Sequence, residues 1–186
     1  MINFVLNDRE LEVEEGTNIL DAALEAGVDI PNLCYHEEVS PYGSCRLCLV
    51  EIVEDGGSSL EPSCQSKVTE GMEVKTHTDK IEERRQIILE LLLAEAPDSE
   101  ELKELAAEHG VTDSRFDLDG QGKCILCGLC VRVCAEVVGR EAISFSGRGV
   151  GRRIMTPFGK ISDSCIGCGA CAYICPTDAI EVEEAA

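Results

Sequence analysis

The stretch "CILCGLCVRVC" (residues 124–134) has a near copy in "CIGCGACAYICP" (residues 165–176), and the pair decides the C-terminal third of this 186-residue chain. Six of the eleven aligned positions are identical, and four of those six are cysteines. Each copy has the spacing C-x2-C-x2-C-x3-C, and the second ends in proline. Because the cysteines are kept while most residues between them change, they are the residues expected to carry the chemistry.

This spacing is typical of two-cluster bacterial ferredoxins, in which the fourth cysteine of each run ligates the other cluster. Three cysteines in one tight loop reach three corners of a four-iron cube, but the chain cannot turn back soon enough to supply the fourth. The spacing therefore predicts two cross-ligated [4Fe–4S] clusters. The first would take Cys124, Cys127, Cys130 and Cys175, and the second Cys134, Cys165, Cys168 and Cys171.

Zinc is the alternative metal for cysteine-rich loops, but four-cysteine zinc sites generally use two separated C-x2-C pairs. Two runs of four cysteines over-supply such a site. Gly128 and Gly169 each follow the second cysteine of a run, where a residue without Cβ lets backbone N–H groups approach the cluster sulfurs. Four apolar neighbours are expected to keep water from the clusters: Ile125, Val133, Ile166 and Ile174.

The remaining four cysteines have the spacing C-x10-C-x2-C-x15-C: Cys34, Cys45, Cys48 and Cys64. Plant-type [2Fe–2S] ferredoxins use C-x4-C-x2-C with a distant fourth cysteine, so this set predicts a [2Fe–2S] cluster with a wider first gap. Zinc or a disulfide pair is the alternative. A Rieske centre would need two histidines, and His36 is expected to be a turn residue near the cluster. The three clusters use all twelve cysteines and leave no thiolate for a catalytic residue.

The first third reads as a small sheet with one helix. Two alternating runs around Asn7-Asp8 predict a hairpin. A helix capped by Thr17 should bury Ile19, Leu20, Ala23 and Leu24 and stop at Gly27, and two later strands cover residues 46–54 and 71–77. This order is that of a ubiquitin-like β-grasp. Residues 1–78 are therefore predicted to form a β-grasp [2Fe–2S] ferredoxin-like domain.

Two helices should follow the sheet. In the first, residues 78–95, the apolar stripe is expected to contain Ile81, Ile88 and Leu92, with Ile87 and Leu91 beside it. The second should begin with Asp98 as N-cap and end at Gly110. The predicted class is α+β: the β-grasp domain, a helical connector at 79–120, and a two-[4Fe–4S] bacterial-ferredoxin-like domain at 121–186 with an insert at 135–164.

Composition narrows the class of protein. With 36 acidic and 16 basic residues, the net charge is −20, so no basic stripe is present for nucleic acid. No secretory signal is visible, and the longest apolar run is too short to cross a membrane, so the prediction is a cytoplasmic protein without membrane insertion. Reduced cysteines at ordered spacings in a cytoplasmic protein indicate metal binding.

The glycine-rich stretch "SGRGVGRR" (residues 146–153) lacks a dinucleotide-binding fingerprint. It is expected to be an ordinary loop, a docking loop or a loop that tunes a cluster.

With these residues placed, "CYHEEVSPYGSCRLCLVEI" and "CILCGLCVRVCAEVVGREAISFSGRG" resemble the iron–sulfur front end of the largest peripheral-arm subunit of respiratory complex I. The chain is similar, too, to the diaphorase small subunit of NAD-reducing hydrogenases, to NAD-dependent formate dehydrogenases, and to the N-terminus of iron-only hydrogenases. Because it stops at Ala186, we expect a free-standing subunit. Those relatives carry a further four-iron site with one His and three Cys, but "APDSEELKELAAEHGV" has no cysteine, so that cluster is expected to be lost here.

The resemblance implies a subunit that relays electrons and has no substrate site of its own. Its partners would be a flavin- and NAD(P)-binding diaphorase-type subunit and a catalytic subunit, first a hydrogenase and next a formate dehydrogenase. Electron bifurcation with ferredoxin as a further partner would be one form of this function. The alternative is a free-standing multi-cluster ferredoxin shuttle, which would purify alone.

Overall fold

The structure, a computed structural model, describes residues 1–54, 56–118 and 122–182. Its first half contains strands β1 (Ile2–Leu6), β2 (Arg9–Val13), β3 (Leu49–Glu54), β4 (Gly57–Pro62) and β5 (Glu73–Lys75), with helix α1 (Ile19–Glu25) after β2. Helices α2 (Asp79–Glu95) and α3 (Glu100–Glu108) follow. Among the described residues, no helix is long and apolar enough to cross a membrane.

The five strands form one mixed sheet in the order β2-β1-β5-β3-β4. Strand β1 pairs antiparallel with β2 and parallel with β5. The β1–β2 turn is made by Asn7 and Asp8, both at positive φ (48° and 65°), as two-residue hairpins with the strand twist require. The predicted hairpin is therefore confirmed, as is the α+β class.

Two local predictions about the first half were wrong, and one strand was missed. Strand β4 was not predicted because "GSSLEP" is polar, yet all six of its residues pair with β3. Asn18, not Thr17, caps α1, since its side chain accepts the Asp21 N–H at 2.8 Å. Leu24 is 44% exposed, whereas Ala22 takes a buried place beside Ile19 and Leu20.

Side-chain N-caps stabilise both middle helices, and the buried face of α2 differs from the predicted one. Thr78 caps α2 and Ser99 caps α3, so the prediction of Asp98 as N-cap was wrong; its carboxylate accepts the Gly122 N–H instead. The buried stripe of α2 follows an i, i+4 rule through Ile81, Arg85, Leu89 and Leu93. Leu91 is 40% exposed, and an arginine occupies a position on the face that was expected to be apolar.

Two hydrophobic cores position the cysteines. The first lies between α1 and the sheet and includes Cys48 and Cys64. The second joins all three parts of the chain: Cys34 and Leu47 from the sheet half, Leu89 of α2, Leu102 of α3, and Ile125. Helices α2 and α3 therefore pack against both cysteine-bearing regions.

The C-terminal part is built from short elements. These are α4 (Leu129–Arg132), a π-helical turn at Val133–Val137, the antiparallel pair β6 (Ser144–Ser146) and β7 (Arg153–Met155), 3-10 turns at Gly149–Gly151 and Pro157–Gly159, and α5 (Ala170–Tyr173). Gly128 and Gly169 are the N-cap residues of α4 and α5, with φ values of 74° and 73°. Two residues earlier, Leu126 and Gly167 also have positive φ, so the sequence repeat is a repeat of backbone conformation.

Candidate metal centres

The first cysteine set surrounds a cavity of about 310 Å³, lined by Cys124, Cys127, Cys130 and Cys175. The first three lie on the loop that leads into α4, and Cys175 follows α5. Contact between α4 and α5 brings the fourth cysteine of the second run to the first run. The structure therefore brings together the residues predicted for the first four-iron cluster.

A second cavity, of about 400 Å³, is lined by Cys134, Cys165, Cys168 and Cys171. Here the exchange is reversed: Cys134, the last cysteine of the first run, lines the cavity of the second run. Its apolar wall includes Ile161 and Ile166, but Ile166 is 58% exposed, so the shielding expected of it is incomplete. Cys165 and Cys168 are exposed as well, whereas two cysteines of the first set are buried. Of the two four-cysteine sites, the second is therefore the more exposed to solvent.

The third set, Cys34, Cys45, Cys48 and Cys64, is buried on the loops of the sheet half. Its thiols form two pairs: a hydrogen bond from Cys45 lowers the pKa of Cys34, and one from Cys64 lowers the pKa of Cys48. A [2Fe–2S] cluster takes two cysteines on each of its two irons. The paired arrangement fits that donor requirement.

Backbone N–H groups point at several of these sulfurs. The Cys34 Sγ accepts the Cys45 N–H at 3.4 Å, and Cys124 Sγ accepts the Leu126 N–H at 3.4 Å. Cys134 Sγ accepts the Ala142 N–H at 3.3 Å and Cys175 Sγ the Ala179 N–H at 3.2 Å. Such donors stabilise thiolate charge and are one of the protein's means of setting a cluster's potential.

Burial governs the protonation of the first set. It raises the pKa of Cys127 to about 11 and that of Cys130 to about 12, because a thiolate is poorly solvated there, and the neighbouring cysteines add to the effect. Metal binding requires thiolates, so loading this site with iron must release protons. Within the described residues, no three His, Cys, Asp or Glu side chains converge on a single ion. The four-iron sets instead line cavities.

The first four-cysteine cavity adjoins both of the other sites. The Ser44 hydroxyl, beside Cys45, donates to the Cys127 carbonyl oxygen at 3.4 Å, and Cys34 is close enough to raise the pKa of Cys127. Ile180 lines both the first and the second four-cysteine cavity. Because it adjoins both the sheet-half cysteines and the second cavity, we call the first four-cysteine cavity the middle site.

The histidines take structural places. His36 accepts the Glu38 N–H at 3.2 Å on its Nδ1, which fits the turn role expected of it. His109 follows α3 and its ring contacts the Glu82 carboxylate on α2.

Sequence reasoning missed the contacts between the two cysteine-bearing loops. Arg132 of α4 lies over the Tyr42 ring, which stacks on Phe145 of β6. Arg152, from the glycine-rich stretch, lies 3.8 Å from the Phe145 centroid and donates to the Tyr42 hydroxyl at 2.8 Å. No signal in the sequence indicates this stacked pair, because its two rings come from distant residues, 42 and 145.

The two repeat glycines provide a matched test of the loop geometry. A Cβ on Gly128 would lie 2.7 Å from Phe145 Cζ, whereas a Cβ on Gly169 would meet nothing within 4 Å. Both substitutions place a side chain on a left-handed backbone, which costs about 1–2 kcal/mol, and only Gly128→Ala adds the clash. We expect Gly128→Ala to destabilise the protein by about 1–3 kcal/mol more than Gly169→Ala in denaturant unfolding. Equal losses would contradict the close Phe145 contact.

Comparison with known families defines the class. The family described as "2Fe-2S iron-sulfur cluster binding domain" matches residues 1–79, and the "4Fe-4S dicluster domain" family matches residues 123–184. The chain is thus an iron–sulfur protein with a 2Fe-2S domain followed by a 4Fe-4S dicluster domain. Both agree with the cysteine sets described above.

Individual relatives narrow the class further. The chain is 34% identical to an NADH-quinone oxidoreductase subunit of Rhizobium meliloti (strain 1021) over 97% of its length and 24% of the relative's. It is 32% identical to NADP-reducing hydrogenase subunit HndD of Solidesulfovibrio fructosivorans over 99% of its length and 36% of the relative's. It therefore spans about a quarter to a third of these curated relatives.

A solved structure is similar to nearly the whole of this chain. A chain in the crystal structure of NAD⁺-reducing [NiFe]-hydrogenase in the H₂-reduced state matches with a TM-score of 0.83 and 33% identity, covering 96% of this chain and 86% of that one. The protein belongs to the family of iron–sulfur electron-transfer subunits of NAD(P)-linked hydrogenases and complex I. The predicted family is confirmed.

Proposed function

We propose that this chain carries one [2Fe–2S] and two [4Fe–4S] clusters and relays electrons between a flavin- and NAD(P)-binding subunit and a catalytic subunit. The observation that carries the proposal is the contiguity of three four-cysteine sets, two of which exchange their last cysteine. We assign the [2Fe–2S] cluster to Cys34, Cys45, Cys48 and Cys64, and the four-iron clusters to the sets that line the two cavities.

The domain organisation belongs to the same proposal. The strand order 2-1-5-3-4, with a parallel pair at its centre, supports a β-grasp for residues 1–78. Residues 79–120 would be a helical connector without the His/Cys cluster, and 121–186 the two-cluster domain with its insert at 135–164. Contact between the Ser44 hydroxyl and the Cys127 backbone supports a continuous electron path despite the missing cluster.

The partners are proposed by similarity. Relatives named as subunits of NADP-reducing and NAD⁺-reducing hydrogenases favour a hydrogenase as the catalytic partner. A formate dehydrogenase is the second choice, and ferredoxin-linked bifurcation would be an extension of either. The cytoplasmic location inferred from the cysteines stays a prediction. The exposed second site, with Cys165 and Cys168, is where an electron would leave or enter most directly.

Iron analysis is the test. Protein purified without oxygen should contain about ten irons per chain and matching acid-labile sulfide. Paramagnetic resonance of the reduced protein should show one two-iron signal and two interacting four-iron signals. Zinc in place of iron, or about eight irons without a two-iron signal, would contradict the assignment to the sheet half. Affinity purification from the native host should then recover fixed partner subunits; recovery of the chain alone would favour the shuttle.

A further inference from the structure

Arg132 makes contacts with both neighbouring cysteine loops. Its Nη2 donates to the Cys34 carbonyl oxygen at 2.9 Å and to the Cys127 carbonyl oxygen at 3.4 Å, and its Nη1 donates to the Ser40 carbonyl oxygen. Cys34 belongs to the sheet-half set and Cys127 to the middle site. One guanidinium group therefore ties together the backbones that carry ligands of two different sites.

A second contact on the same helical segment completes the attachment. Glu136, four residues after Arg132, accepts the Ser40 N–H at 2.7 Å. Ser40 thus donates its N–H to a carboxylate and accepts at its carbonyl oxygen from a guanidinium group. Charged hydrogen-bond partners are about twice as strong as neutral ones, so the loop at 34–45 is fixed to α4 and the π-helical turn.

The insert braces this contact from the other side. Arg132 lies 5.6 Å from the Tyr42 ring centroid, Tyr42 stacks on Phe145 at 6.1 Å, and Arg152 lies over the Phe145 ring. We name Arg132, Tyr42, Phe145 and Arg152 the clamp. Its four members come from the sheet-half loop, from α4 and from the β6–β7 region, so it gives the insert and its glycine-rich stretch a place in the protein.

We propose that Arg132 is a positioning residue that fixes the [2Fe–2S] loop relative to the middle four-iron site and places a positive charge between them. The inference rests on the proposed function, because it assigns a role in electron transfer between two clusters. Electron transfer depends steeply on distance, so a fixed loop separation matters more here than in ordinary domain packing. The guanidinium charge would also favour the reduced form of both neighbouring clusters.

The test compares Arg132→Gln, Arg132→Lys and the control Arg148→Gln in iron-loaded protein. Arg148 is exposed, and its substitution removes the same charge from the insert. In Arg132→Gln, amide exchange of the loop at 35–44 should accelerate at least about tenfold, because three charged hydrogen bonds are lost. The magnetic relaxation enhancement of the two-iron signal by the middle cluster should weaken, and both potentials should fall.

Arg132→Lys separates geometry from charge. Lysine keeps the positive charge but cannot reproduce the planar fork, so loop exchange should rise while the two potentials stay near those of the wild type. Arg148→Gln should change neither. If Arg132→Gln does not assemble its iron, Tyr42→Leu replaces it and should accelerate loop exchange with the charge retained.

Different experimental results would contradict this inference and the proposed function. Wild-type protein without about ten irons per chain would overturn the proposed function before any variant is measured. A full set of clusters, with loop exchange and two-iron relaxation unchanged in both Arg132 variants, would overturn the positioning role alone.

Discussion

Cys175→Ala should remove the cluster of the first cysteine run and leave the cluster of its own run in place. Cys175 lines the cavity of Cys124, Cys127 and Cys130, and its own run surrounds the other cavity. A four-iron cluster with three protein ligands is readily lost or degraded, so the variant should retain about six of ten irons. Iron and sulfide analysis measures the loss.

The spectra identify which cluster is missing. The middle site is the one that contacts the sheet-half loop through Ser44. Its loss in Cys175→Ala should therefore abolish the relaxation enhancement of the two-iron signal. Cys134→Ala is the matched control. It should lose the same number of irons but keep the enhancement, because Cys134 lines the second cavity. The reverse pattern, with Cys134→Ala abolishing the enhancement, would show that each run ligates its own cluster.

The grouping of the cysteines in the structure could be predicted because it follows from local spacing. A run of C-x2-C-x2-C leaves a loop few conformations, and the unreachable fourth corner implies a partner from the other copy. The same locality made the β1–β2 turn predictable from Asn7 and Asp8. The four remaining cysteines could be grouped because the two runs account for all the others.

Features set by long-range contacts could not be predicted in the same way. Strand β4 is polar and owes its conformation to pairing with β3. Asn18 rather than Thr17 is the N-cap because α1 begins at Ile19. The adjacency of the sheet-half site and the middle site depends on the contact of Ser44 with Cys127, 83 residues away. No periodicity in the sequence records such a contact.

Arg85 is the clearest example of a residue whose buried position could not be predicted from the sequence. Its hydrophilic side chain lies on the stripe of α2 and is 0% exposed. Its Nε donates to the Leu47 carbonyl oxygen at 3.2 Å, and its Nη2 donates to those of Leu49 at 2.9 Å and Thr76 at 3.1 Å. Leu47 and Leu49 flank Cys48, so this arginine holds the backbone that bears a ligand of the sheet-half site.

The arginine remains tolerable in the core because most of its donors are used. Burial lowers the pKa of Arg85, and the Glu82 carboxylate, 3.6 Å from Nη1, opposes that shift. The same arrangement makes the position intolerant of change. An apolar side chain of similar length would fill much of the volume but would leave three buried carbonyl oxygens without these donors.

Arg85→Met should therefore destabilise the protein by about 3–5 kcal/mol, because three buried carbonyl oxygens lose their donor and each such loss costs about 1–3 kcal/mol. The measurement is the shift in the denaturant unfolding midpoint of iron-loaded protein without oxygen. Arg84→Met is the control, because Arg84 is exposed on the same helix and its loss should change stability by less than about 0.5 kcal/mol. Arg85→Lys should lie between them, since an ammonium group cannot reach all three carbonyl oxygens.

The effect should also be local, because the three carbonyl acceptors lie on the sheet half. Partial loss of iron in Arg85→Met should remove the two-iron signal before the four-iron signals, since Cys48 lies between two of the released carbonyl groups. Equal unfolding midpoints for Arg85→Met and Arg84→Met would show that the buried hydrogen bonds contribute nothing net. Loss of four-iron signals first would show that Arg85 acts through α2 and the second core rather than through the Cys48 backbone.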